Sequence, residues 1–319
     1  MAGRGDIGVR IGLSAVIFVL DGPGLSVLTT HAQEVAPGLP FGPFDPTRHR
    51  TFELALRAFV TAQTGFRLGF VEQLYTFGDA GRDTPRAAPA GDPARQVSVG
   101  YLALTRDALA PPSADARWRP VESFFPWEAR RAGRLPLIDE FLAPRLRAWA
   151  DAEPGERRRR RVEALFALED DAGWNEAAVL DRYELLYEAG LVAEAARDRP
   201  EPPAADDAPL LGQPMESDHR RILATGLGRL RSKLRYRPVL FDLAPETFTL
   251  SQLQAAAEAV SGLRLHKQNF RRGVERTGLV APLGRTTTGT GGRPAELFTA
   301  RLGAPEDGHA PGLALPALR

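Results

Sequence analysis

The residues whose types and spacing best suit recognition chemistry lie near the C-terminal end of this 319-residue chain. Over residues 265–277, Leu265, Phe270 and Val274 recur at helical spacing. The rest of that segment presents His266, Lys267, Asn269, Arg271, Arg272 and Arg276. An asparagine amide can pair with adenine, an arginine fork with guanine, and each cation with phosphate. His266 falls at the start of this helix and reads as a further contact. Another helix precedes it. Thr249-Leu250-Ser251-Gln252 fits a capping box, Phe248 and Leu253 occupy the staple positions, and Gly262 ends the helix. Two short helices joined by a tight glycine-containing turn, the second one basic, form a helix-turn-helix pattern. Residues 279–283 and 296–302 read as strands. The glycine- and threonine-rich stretch 284–294 between them, which includes Arg293, reads as a wing.

Charge supports this reading once it is divided along the chain. The totals are 41 basic and 40 acidic residues, a net of +1, and that average argues against a nucleic-acid partner. Residues 219–301 hold 15 basic and 5 acidic residues, a net of +10, while the remainder holds 26 and 35, a net of −9. A duplex carries one charge per about 1.7 Å of axis, so a basic face gains by counterion release. Only Lys233 and Lys267 of the basic residues are lysine.

A second candidate site lies upstream. Residues 39–46 read as a Pro/Gly-rich loop. Residues 50–63 read as a helix with Phe52, Leu56, Phe59 and Gln63 on one stripe, ended by Gly65. The segment resembles a Nudix box, G-x5-E-x7-R-E-U-x-E-E-x-G-U with U apolar. With the last glycine on Gly65, Ala58 and Phe59 stand in the Arg-Glu positions, and Ala62 and Gln63 in the Glu-Glu positions. Nudix hydrolases use those glutamates to hold Mg²⁺ against a pyrophosphate and to help activate water. Ala and Phe cannot do this, and neutral Gln does it poorly. Glu53 and Glu72 lie nearby but off the motif. The resemblance implies a frame kept and a metal site lost, with no catalytic residue, metal ligand or cofactor. Val71–Asp79, followed by Arg82-Asp83, resembles the stretch lining the ligand pocket in ADP-ribose-type Nudix proteins and their regulators. It makes Arg57, Tyr75, Phe77, Asp79 and Arg82 the candidate ligand contacts. Tyr75 and Phe77 can stack on an adenine, and Arg82 can pair with phosphate. Core packing is the competing role for both aromatics.

The elements that must position these sites are legible in outline. Residues 9–20 and 25–30 read as a strand pair. Residues 66–77 and 96–105 are strand-like, and the aromatic stretch 118–127 docks on the same core. Residues 139–150 and 157–196 read as helical, with Leu180, Tyr183, Leu186 and Tyr187 forming a stripe. Residues 198–214, with five prolines and four acids, read as an exposed linker. A helix over 217–234 carries Leu223, Leu227, Leu230 and Leu234, and Arg237-Pro238 stops it. Residues 303–319 read as a disordered tail.

Other chemistries are excluded or weak. The chain has no cysteine, so disulfides, thiol catalysis, zinc fingers and iron–sulfur clusters are out. His31, His49, His219, His266 and His309 include no i, i+4 pair, and no P-loop or G-x-S-x-G pattern occurs. The five arginines 157–161 sit among Asp151, Glu153, Glu156 and Glu163, and read as an exposed charged helix rather than a nucleic-acid patch. No run reaches the roughly 18–20 apolar residues that span a bilayer. Residues 11–20 behind Arg4 and Arg10 compete as a signal peptide, but the turn at 21–24 and the apolar run after it favour the strand pair.

Taken together the two halves resemble the Nudix-related transcriptional regulators of bacterial NAD metabolism, the NrtR family, in its alphaproteobacterial NAD-regulator subgroup. The resemblance covers about residues 9–302. Its most specific segments are Asp218-His219-Arg220-Arg221-Ile222-Leu223, Arg237-Pro238-Val239-Leu240-Phe241, Leu265-His266-Lys267-Gln268-Asn269-Phe270-Arg271-Arg272 and Gly292-Arg293-Pro294-Ala295. It implies an α+β chain: a Nudix-like α/β/α sandwich over 1–236 with a helical insertion at about 139–214, then a winged helix-turn-helix over 237–302. It further implies a cytoplasmic homodimer that represses NAD biosynthesis or salvage genes, binds operator DNA, and senses NAD, ATP or ADP-ribose without hydrolysing it. The alternative is a Nudix-type ADP-ribose or NAD hydrolase with a non-standard metal site built on Glu53 or Glu72.

Overall fold

The computed structural model describes residues 8–30, 36–79, 95–106, 115–153, 155–198, 211–235, 238–287 and 294–301. The apolar run near the N-terminus is the central strand β1 (Val9–Asp21). Leu13, Ala15 and Ile17 alternate with Val16 and Phe18, and both sets are buried. A strand buried on both faces needs helices on both sides of its sheet. Strand β1 turns back into β2 (Gly24–Thr30), pairs with the short β3 (Phe41–Pro43), and runs parallel to β5 (Arg95–Leu104). The edges are β4 (Val71–Phe77) on β5 and β6 (Ala116–Pro120) on β2.

Helix α1 (Phe52–Thr64) covers one face. The Thr51 side chain caps its start, and Gly65 at φ 73° ends it. Ala55, Leu56 and Val60 pack against Leu13, Ile17, Val99 and Tyr101. The aromatic stretch after β6 forms α2 (Val121–Phe124) and a 3₁₀ turn, and buries Phe124, Phe125 and Trp127 on the other face.

The insertion departs from the sequence reading. The helical span 139–150 opens as a π-helix over Leu137–Leu142, then becomes α3 (Ala143–Asp151). Pro144 has no N–H to donate back into the preceding turn, consistent with the widened turn before it. The span 157–196 is three helices: α4 (Arg157–Phe166), α5 (Val179–Glu188) and α6 (Ala193–Arg197). Ala167, at φ 49°, ends α4. The broken segment after it lets Trp174 lie between the guanidinium groups of Arg130 and Arg182, at 4.0 and 3.8 Å from its ring. The strand expected over 66–77 begins only at Val71. The arginine run pairs out as an exposed charged helix should: Arg158 with Glu153, Arg159 with Asp151, Arg160 with Glu156 and Arg161 with Glu188.

Helix α7 (His219–Lys233) covers the second face of the sheet. Leu223, Leu227, Leu230 and Leu234 are all buried. A Cβ on Gly226 would lie 2.9 Å from Val16 Cγ1, so this glycine lets the helix sit close on β1. A 3₁₀ turn (Val239–Asp242) and β7 (Thr247–Phe248) lead into α8 (Leu250–Ser261) and α9 (Lys267–Thr277). Strands β8 (Val280–Thr286) and β9 (Glu296–Ala300) follow, and β7 and β8 flank β9. The wing tip with Arg293, the loop with Arg82, and the C-terminal tail lie outside the described residues. Among the described residues no helix is long and apolar enough to cross a membrane.

One hydrophobic core runs from the α7 face of the sheet through the insertion into the C-terminal unit. Within it sits Glu128. Arg182 Nε and Nη2 donate to its two oxygens at 2.7 and 3.0 Å, and Arg231 Nη1 donates to Oε2. Arg231 Nε also donates to Val260 O at 2.9 Å, at the C-terminal end of α8. Burial alone would raise the Glu128 carboxyl, but the charges and hydrogen bonds of Arg182 and Arg231 outweigh it and hold it below the ordinary carboxylate range. A second buried pair, Arg220 with Glu194 at 3.1 Å, ties α7 to α6.

Removing Glu128 strands two buried guanidinium groups, so Glu128→Ala should cost about 3–5 kcal/mol in urea unfolding. Because the folded-state pKa is depressed, Glu128 contributes fully above its unfolded value of about 4.5, and that contribution fades as pH falls through the lower folded value. Unfolding of Glu128→Gln across the same window should therefore lose stability less steeply than unfolding of the parent protein.

Candidate nucleic-acid interface and ligand-sensing face

The C-terminal unit presents its basic helix by local devices that the sequence encodes. The capping box forms in full: Gln252 N–H donates to Thr249 Oγ1 at 3.1 Å, and Thr249 N–H donates to Gln252 Oε1 at 2.8 Å. At the other end of α8, Gly262 adopts φ 72°. A Cβ there would lie 2.5 Å from Glu128 O and 2.7 Å from Arg231 Nη2. The turn beyond it is pinned from both sides. Leu263 forms a parallel bridge with Arg130, whose side chain is buried. Leu265 N–H donates to Glu258 Oε1 at 2.9 Å, and Gln254 Nε2 donates to Leu265 O at 3.0 Å.

Helix α9 then buries only Phe270 and Val274. His266, Lys267, Asn269 and Arg272 are exposed, as the sequence led us to expect of contact residues. Arg271 is half-buried, with Nη2 at 3.4 Å from Ser251 Oγ on α8. Arg285 on β8 and Arg301 after β9 are exposed as well. Exposed Gln268 is absent from the sequence-derived set, although a helical wheel centred on Phe270 and Val274 would have found it.

The charge split needs correction at this level. Six of the 15 basic residues in 219–301 lie on or just after α7 and face carboxylates of the N-terminal portion. Arg220 meets Glu194, Arg221 meets Asp79, Glu184 and Asp218, and Arg229 and Lys233 meet Glu72. Arg231 meets Glu128, and Arg235 meets Glu176. Much of the +10 is therefore docking chemistry rather than DNA-facing charge.

The ligand candidates are dispersed. Arg57 pairs with Glu53 at 2.9 Å and donates to the carbonyls of Leu68 and Gly69, so it braces the chain after α1. Tyr75 is 61 % exposed on edge strand β4, and Phe77, 4 % exposed, meets it edge-on at 5.4 Å from within the core. Core packing therefore accounts for Phe77. Asp79 is engaged by Arg221.

A Nudix metal site does not fit these residues. Ala58 and Ala62 are exposed, Phe59 packs over Gly42, and Gln63 Nε2 donates to Phe41 O at 2.7 Å. The two carboxylates that could have substituted are both engaged, Glu53 by Arg57 and Glu72 by Lys233 and Arg229. Among the described residues, no three His, Asp or Glu side chains group to hold a metal ion.

The architecture is thus a Nudix-like sandwich carrying a winged helix. Residues 240–300 match the NrtR DNA-binding winged helix domain, and the C-terminal unit is a domain of that type. The chain is 36% identical over 81 residues to the ADPR responsive transcriptional repressor NtrR of Acinetobacter baylyi. That match spans 25% of this chain and 32% of the relative, about a third of its length. Over nearly its whole length the chain is similar in fold to Shewanella oneidensis NrtR. With the form complexed with a 27mer DNA, the TM-score is 0.54 at 21% identity, over 91% of this chain and 93% of that one. With a second crystal structure of the same protein, the score is 0.55 at 20% identity, over 96% and 99%. A MutT/nudix family protein from Enterococcus faecalis gives 0.50 at 14% identity, over 94% and 90%.

Gly262 and Gly278 are both left-handed, but only Gly262 is crowded. Gly278→Ala should cost only the left-handed strain, about 1 kcal/mol, and Gly262→Ala should cost more than that, upwards of about 3 kcal/mol. Denaturant midpoints of the two variants, measured side by side, check the difference.

Proposed function

We propose that this protein is a ligand-responsive transcriptional repressor of NAD biosynthesis or salvage genes, which binds operator DNA and senses an adenine nucleotide without hydrolysing it. The observation that carries the proposal is the exposed basic face of α9 on a winged helix docked against a Nudix-like fold whose box positions hold no metal-binding carboxylate. Residues 1–236 form the sensing unit, with the insertion at about 139–214. Residues 237–302 bind DNA through His266, Lys267, Asn269, Arg271, Arg272 and Arg293. Tyr75 is the stacking platform for the nucleotide base, and Arg82 meets its phosphate. The molecule acts as a homodimer in the cytoplasm, where its operator is found.

ADP-ribose is the first effector to test, because a relative with a matching segment is named for its response to it. NAD and ATP are the other two. Effector bound to the sandwich would reach α9 through α7, whose Arg231 holds the end of α8. Coupling is reciprocal, so the effector and DNA change each other's affinity by one factor, about 5–150-fold for ordinary allosteric systems. Fluorescence anisotropy with a duplex selected from a randomised pool measures this, with and without each nucleotide. Absence of duplex binding, or binding insensitive to all three nucleotides, would sink the proposal. Because the box holds no metal site, the effector's affinity should be unchanged by EDTA. Adding Mg²⁺ should release no AMP from ADP-ribose or NAD; release of AMP would revive the hydrolase alternative.

A further inference from the structure

Helix α9 has a single inner edge, and that edge fixes which side chains point furthest outward. At about 100° per residue, Arg272 lies about 180° from the midpoint of Phe270 and Val274, with Gln268 about 140° away on one side and Asn269 about 120° away on the other. Lys267 and Arg271 lie only about 40° and 80° from that midpoint, on the flank nearest α8. The contact from Arg271 to Ser251 on α8 agrees with this placement. Glu275, the one acidic residue of α9, lies two turns beyond Gln268 on the same outward side. A carboxylate there is repelled by phosphates, so the N-terminal half of the helix is the half suited to enter a groove.

We propose that Gln268 is a specificity-determining residue, reading adenine in the major groove beside Arg272, which reads guanine, while Lys267 and Arg271 hold the backbone. The inference rests on the DNA-binding reading above and divides its contacts by role. A glutamine amide offers a donor and an acceptor that match adenine N7 and N6–H₂, and an arginine fork matches guanine O6 and N7. Gln268 and Arg272 are one turn apart on the outward stripe, so they address neighbouring base pairs. Two features keep both side chains available. Both are exposed, and neither makes a hydrogen bond or ion pair with any other described residue. The start of the helix is held rigidly, because Gln254 and Glu258 pin the Leu265 peptide on both its N–H and its C=O. Lys267, chemically the most conspicuous residue of the segment, lies on the flank and reads as a point charge for phosphate.

The test uses the full-length protein and selection from a randomised duplex pool, with the parent, Gln268→Ala, Gln268→Arg and Lys267→Ala run in parallel. The parent should enrich a motif with a defined adenine adjacent to a guanine. Gln268→Ala should lose preference at that adenine alone, by about tenfold or more, with the rest of the motif intact. Gln268→Arg should move the preference there to guanine. Lys267→Ala should keep the whole motif, bind it more weakly, and show a shallower dependence of affinity on salt by about one phosphate contact. Gln268 is exposed, so the thermal midpoint of Gln268→Ala should equal the parent's; that control separates lost reading from lost folding. If Gln268→Ala and Gln268→Arg both enrich the parent's motif unchanged, the inference is wrong while the DNA-binding reading stands. If the parent enriches no motif, both fall.

Discussion

The position of the winged-helix unit depends on one buried carboxylate. Glu128 is the last residue of the aromatic 3₁₀ turn that closes one face of the sheet, and its two oxygens hold Arg182 from α5 and Arg231 from α7. Arg231 also donates through Nε to Val260 O at the end of α8 and through Nη1 to Glu176 O at 3.1 Å. Guanidinium donors point in fixed directions, so these contacts define the approach of α8 and not only its proximity. A buried ion cluster is weak evidence for added stability, since apolar packing of equal volume often does as well. What it supplies here is a fixed seat. The backbone agrees, because Gly262 meets Glu128 O and Leu263 bridges to Arg130 at the same place.

The same chemistry explains why a chain of net charge +1 divides so unevenly. Basic residues on α7 face acids from β4, the insertion and the turn at 128, so part of each surplus is neutralised by the other. Helix α7 is therefore a seam: its leucines face the sheet, and its cations gather the surrounding elements. The charge left to face solvent on the C-terminal unit is smaller than the count suggests, and it is concentrated on α9, Arg264, Arg285 and Arg301. Concentration favours a docked duplex over a diffuse cloud of charge, because phosphates are neutralised only by cations close to them.

Most of the fold was legible because its signals are local. The strand pair around Gly22, the helix end at Gly65, the cap at Thr249, the leucines of α7 and the two anchors of α9 each follow from spacing within a few residues. The insertion was not, because helix periodicity continues through 157–196 while tertiary contacts break it. Trp174 earns its place only through Arg130 and Arg182, residues that periodicity treats as surface. The Glu128 cluster was invisible for the same reason: its members stand 54 and 103 positions apart, and each alone reads as solvated. Phe77 showed the converse limit, since an aromatic beside an exposed aromatic has the same appearance in sequence whether it binds a ligand or fills a core. Gln268 lay between Lys267, singled out for its charge, and Asn269, singled out for its amide, and only the orientation of the buried edge separates it from Lys267.

The neutral residues at the Nudix-box positions have an electrostatic consequence. In a metal-dependent site, the cation screens glutamates from a diphosphate. Take away the cation and those glutamates repel the same ligand at close range, where a low effective dielectric makes repulsion strong. A sensor that binds an anionic nucleotide without metal must therefore replace the carboxylates with neutral groups. Ala58, Phe59, Ala62 and Gln63 are such a set, and Gln63 keeps the polar reach of glutamate while turning it to Phe41 O. With these residues in place, helix α1 has both its caps, its buried stripe and its seat on the sheet. Structure and charge at α1 thus point the same way: the helix supports the Nudix-like sheet while its box positions present no carboxylate.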